Sequence, residues 1–160
     1  MAAAIRQTLD HPFRPLASIE DLYRLMQESR LPWQHQELLP LSSDAFLHAS
    51  VLAALGRLPE ACAVAQAYID KEEGTWLAVK ADAEVLLDKP RKRSEGESRI
   101  RLANHFLKPM DDMRQLMVFA TASDRRGVAT LLHQWEEQNA RRLEIEDVWE
   151  PTPFPLERDL

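Results

Sequence analysis

The chain has 160 residues, 45% of them apolar and 29% charged, a balance that predicts one folded domain with its own core. Its net charge of −6 runs against a surface built for phosphate contact, so nucleic acid is disfavoured as a partner. The single cysteine, Cys62, excludes an intrachain disulfide and a zinc cluster built on thiolates.

The first seventeen residues hold Pro12 and Pro15, which fix φ and remove backbone donors, and an extended arm over 1–17 is expected. The opening "MAAAIRQTLDHPFRP" lacks the apolar centre of a signal peptide. No apolar run approaches the ~20 residues of a membrane span. The expectation is a cytoplasmic protein that does not enter membranes. Ser18 offers an N-cap with Asp21 three residues on, and Ile19, Leu22, Tyr23 and Met26 at helical spacing predict a helix over 19–29. "RLPWQHQELLPLS", residues 30 to 42, reads as a loop lying on the core. Ser43 or Asp44 caps a helix over 44–55 whose apolar residues surround its axis, the pattern of a buried helix. Gly56 ends it. Pro59 and Glu60 suit the first turn of the next helix, 59–71. Two helices joined so tightly must pack antiparallel.

The corner "LGRLPEACAVAQAY" resembles the turn between the two helices of a tetratricopeptide-type repeat. Gly56 closes the first helix, Leu58 follows, and Ala61, Ala65 and Tyr68 recur along the second, with Ala49 as the small residue of the first. The resemblance covers about residues 44–71. It implies a helical hairpin array that binds other proteins.

Gly74 and Thr75 predict a new helix over 75–87, with Trp76, Val79, Ala83 and Leu86 on one stripe. "DKPRKRSEGES" then reads as a mobile basic loop over 88–96. Ser94 with Glu97 forms a capping box for a helix over 95–107. Pro109 interrupts, and Asp111 and Asp112 fall in the first turn of a helix that buries Met113, Leu116, Met117 and Ala120. The last helix, 124–146, turns Val128, Leu131, Leu132, Trp135 and Leu143 inward. The tail 147–160 contains Pro151, Pro153 and Pro155 and cannot continue a helix. The fold class is all-α, with about seven helices over 18–146 in a compact tetratricopeptide-like array and extended termini.

Reactive groups do not converge along this sequence. The glycines are isolated from each other, so no phosphate-cradling loop exists. His133, Glu136 and Glu137 share a helical face and make half of a di-iron motif whose second half is missing; the plainer reading is an exposed histidine beside two solvated glutamates. His48 and His105 read as structural. No catalytic residue, cofactor or metal is expected, and the chain reads as a non-enzymatic module whose partner is another protein. Trp33, Trp149 and Phe154 are the aromatic candidates for contact, and Arg91, Lys92 and Arg93 the basic ones. Either the tail docks on a partner or it straps the domain's own surface; both stay open. A bacterial adaptor or secretion-type chaperone, binding through a helical groove or its terminal arms, is the expected class. The alternatives are an acidic immunity protein or antitoxin covering a basic toxin, and then a helical enzyme. Oligomerisation is left open.

Overall fold

The computed structural model describes residues 18–28, 42–145, 147 and 150–158, and among them every regular element is helical. These are α1 (Ile19–Gln27), α2 (Ser42–Ala54), α3 (Leu58–Leu87), α4 (Arg93–Thr121) and α5 (Arg125–Arg142), with short 3-10 turns at Pro90–Lys92 and Pro155–Glu157. The all-α class holds, and the count of seven helices does not. The expected N-terminal arm, nearly all of the apolar loop 30–42, Trp33 and Trp149 lie outside the described residues.

The expected helices 59–71 and 75–87 are one helix of 30 residues. An interior glycine costs only about 1 kcal/mol relative to alanine, too little to end a helix held on both sides of it. Trp76 stacks on Phe106 with ring centroids 3.9 Å apart, and Glu73 pairs with Arg114 of α4. Pro109 likewise lies inside α4 rather than before a new helix. It withholds an N–H from the carbonyl four residues back, yet Ala103, Met110 and Met113 are fully buried to either side and hold the helix through. Asp111 and Asp112 therefore sit mid-helix. Instead of opposing a dipole they pair along α4, Asp112 with Lys108 and Asp111 with Arg114.

The basic loop is shorter than the expected 88–96. Residues 90–92 make one 3-10 turn and α4 begins at Arg93, without the Ser94–Glu97 capping box. Gly96 explains the early start. It is buried, and a Cβ there would lie 2.8 Å from the carbonyl oxygen of Ala83, so bare backbone lets α3 and α4 close up directly behind the corner.

α2 is the hub, touching α1, α3, α4, α5 and the Pro155–Glu157 turn. Its Ala49, Val51, Leu52, Ala53 and Ala54 are buried, as its all-round apolar sequence requires. The core gathers around it: Leu58, Ala61, Ala65 and Ile69 from α3, Met110, Met113, Leu116 and Ala120 from α4, and Val128, Leu131, Leu132 and Trp135 from α5. Gly56, at φ 76°, ends α2 in the left-handed region. The N–H of Arg57 bonds to the Leu52 carbonyl and that of Gly56 to Ala53, so both orphan carbonyls are met. α1 is capped by Ser18, whose hydroxyl accepts from the Asp21 N–H at 3.1 Å. It is clamped to this corner by Arg57, whose guanidinium lies 4.7 Å over the Tyr23 ring while binding Glu60. α5 stops at Arg142, four residues short of the expected end; Glu144, at φ 56°, turns the chain, and Leu143 is 61% exposed rather than inward.

His48 lies half-buried on α2, 6.3 Å from the Tyr23 ring. Burial first, then the charge of Arg57, holds its imidazole below the ordinary histidine value of 6.5, against an opposing pull from Glu60. Below that value the unfolded chain binds the proton that the folded chain resists. The stability carried by neutral His48 is thus present above the unfolded value and is lost as pH falls through the folded one. Urea denaturation across this window is expected to show stability falling on acidification, with a shallower slope in His48→Gln.

Candidate protein-binding surfaces

The proline-bearing tail returns to the domain. Phe154, at φ −73° and ψ 155°, is in the polyproline conformation and leads into the Pro155–Glu157 turn. Leu156 is 1% exposed and belongs to the core, facing Gly56 at the α2–α3 corner. Arg125, in the first turn of α5, donates to the Leu156 carbonyl. The Phe154 ring stacks on His133 at 4.5 Å. His133 directs Nδ1 to Glu136 at 3.0 Å and Nε2 to Glu157 at 3.1 Å. Glu157 also accepts the Phe154 N–H at 2.6 Å. Arg158 approaches Glu20 of α1 at 3.6 Å. Of the two readings of the tail, residues 150–158 take the strap.

His133 is therefore a strap contact. Glu137, expected beside it, turns away to Arg141 at 2.5 Å. His105 stands elsewhere on α4, edge-on to Phe106 at 5.4 Å. Among the described residues no group of three or more His, Cys, Asp or Glu side chains is arranged to hold a metal. Cys62 is partly buried against the core. No described helix is long and apolar enough to cross a membrane.

Two shallow hollows meet along α5. One is lined by Gln115, Val118 and Phe119 of α4 with Gly127, Thr130, Leu131 and Gln134 of α5. The other shares Thr130 and Gln134 and continues over His133 and Glu137 to Pro151 and Pro153 of the strap. Together they make one groove with α4 as one wall and the strap as the other. Its α4 end is apolar, with Val118 68% exposed. Sequence reading missed this groove, because the walls come from segments far apart in the chain. The one local signal was Val118, an apolar residue set beside the buried Leu116 and the partly buried Met117.

A third surface is the far half of the α3–α4 pair. From Leu77 to His105 the buried residues are Ala83, Gly96 and Ala103, all on the seam between the two helices, and none of them joins the main core. Leu77, Val85 and Leu102 are 49%, 58% and 50% exposed. The pair projects as an arm, and Arg91, Lys92 and Arg93 form its exposed apex. The structure therefore separates the candidate contact residues. Phe154 lies on the strap at the groove's edge, the three basic residues lie at the end of the arm, and Trp33 and Trp149 fall outside the described residues.

No known protein family matches this chain, and no curated protein or solved structure matches it either.

Proposed function

We propose that this chain is a non-catalytic protein-binding module, an adaptor or secretion-type chaperone acting in the cytoplasm, which holds a segment of another protein in the groove along α5. The observation that carries this reading is the groove itself: apolar Val118, Phe119 and Leu131 line it beside the polar Gln115, Thr130 and Gln134. A helix or extended segment laid there would bury its apolar side and leave its polar side in water. The α2–α3 corner adds support for a tetratricopeptide-like hairpin, since Gly56 turns the chain and Ala49, Ala61 and Ala65 are fully buried where the two helices meet.

The test is capture of partners from the native host by the full chain, read by mass spectrometry, beside the variants Val118→Asp and Thr130→Arg. Both positions are exposed, so the helical circular dichroism stays unchanged. A charge set into the apolar end of the groove is expected to weaken capture of the specific partner by about thirtyfold. Capture that both variants leave untouched overturns the assignment to this groove.

A further inference from the structure

The apex of the arm carries Lys89, Arg91, Lys92 and Arg93, all exposed. Among the described residues none of the four has a carboxylate within ion-pair distance, although Asp88, Glu95 and Glu97 adjoin them in sequence. Glu95 is already taken by Arg99 at 2.6 Å. Elsewhere basic side chains are largely engaged: Arg57 with Glu60, Lys108 with Asp112, Arg114 with Glu73, Arg141 with Glu137. A chain of net charge −6 thus concentrates unpaired positive charge at one end of a projecting helical pair. From Leu77 to Leu87 the arm is about 15 Å long at 1.5 Å per residue, beyond the ~8 Å over which charge acts at physiological salt. The charge of the body is screened before it reaches the apex, whose own flanking carboxylates are Asp88, Glu95 and Glu97.

We infer that the apex of the arm is a docking point for an acidic segment of a partner protein. The inference rests on the protein-binding reading above and adds a second contact, distinct from the groove. Three observations favour a short acidic peptide over other polyanions. First, the apex holds no aromatic side chain on which a base could stack; Trp76 and Phe106 are committed to each other further down the arm. Second, the cations occupy only residues 89–93, and Glu84, Asp88, Glu95 and Glu97 flank them along the chain at the ends of α3 and α4. A short anionic stretch meets the cations alone, whereas a duplex, charged every ~1.7 Å, extends over those carboxylates. Third, the apex presents no bulky apolar residue to enter a lipid surface, the nearest exposed one, Val85, lying a turn behind it.

The experiment is fluorescence anisotropy of a labelled oligo-glutamate peptide with the full chain at low and physiological salt. Arg91→Glu, Lys92→Glu and Arg93→Glu are combined in one variant. A second variant carries the same charge change away from the apex, at Lys80, Arg126 and Arg142. The apex variant is expected to bind about tenfold more weakly, from the loss of three exposed ion pairs, with an unchanged melting temperature, and the control variant to bind like the parent. Absence of peptide binding by the parent overturns the inference, as does an equal loss in both variants. Tighter binding to duplex DNA or to phosphatidylserine vesicles than to the peptide also overturns it. The groove variants Val118→Asp and Thr130→Arg keep peptide binding if the apex acts as inferred, so failure at the apex and failure of the groove are read separately.

Discussion

Trimming Leu156 to alanine is expected to lower the unfolding free energy by about 3 kcal/mol and the melting temperature by roughly 6–12 °C. Sequence position alone suggests no such effect, since Leu156 stands in a stretch broken by three prolines. Its environment decides otherwise. The side chain is 1% exposed, ranks among the largest fully buried ones, and fills the space beside Gly56. Arg125 holds its carbonyl, so the strap cannot slide to refill the gap. Phe154→Ala should cost less, about 1 kcal/mol, because a half-buried ring loses one stacking partner in His133. Urea and thermal melts of the two variants measure both. A Leu156→Ala protein as stable as the parent would mean that the strap does not dock in solution.

Two glycines, both inside long helices, should respond in opposite directions to the same change. Helix propensity alone gives each alanine substitution about 1 kcal/mol of stabilisation. At Gly74 nothing lies within 4 Å of the added methyl, so that gain should appear in full. At Gly96 the methyl would sit 2.8 Å from the Ala83 carbonyl oxygen and 3.1 Å from both Leu86 and Leu87. The oxygen belongs to backbone and cannot rotate away, so α3 and α4 must separate. Overpacking of this kind costs about 1–3 kcal/mol, which outweighs the propensity gain. The propensity gain is common to both, so the two variants should differ by the overpacking cost, about 1–3 kcal/mol in equilibrium denaturation, with Gly74→Ala above the parent and Gly96→Ala below it. Equal shifts would show that the two helices do not approach as closely as described.

The helical class and most of the core were legible because they follow from local periodicity. The all-round apolar α2, the Gly56 stop, the Ser18 cap and the inward Leu131, Leu132 and Trp135 all lie where spacing placed them. The two false helix breaks share one physical cause, which is that each was inferred from a residue weak in isolation. Gly74 and Pro109 each cost something locally, and each is overruled by contacts between α3 and α4, Trp76 on Phe106 and Glu73 with Arg114. The groove and the strap were out of reach for a related reason. Thr130 and Pro151 come to line one hollow, and Gly56 meets Leu156, only after the chain from α2 to the strap has closed. The i,i+3 spacing of Phe154 and Glu157, which locks the strap's last turn, was the one local sign that the tail had structure of its own.

The arm and the strap also differ in how far the chain must travel to make them. Trp76 finds Phe106 and Ala83 finds Gly96 across a single tight corner, and closing so short a loop sacrifices little disorder. Leu156 has to reach back to Gly56 past three intervening helices, a hundred positions away along the chain. As this polypeptide leaves the ribosome, the arm can zip up before Leu156 has been made. The hollow beside Gly56 then stays open until Leu156 arrives, so the core is sealed only after α3, α4 and α5 have all been made.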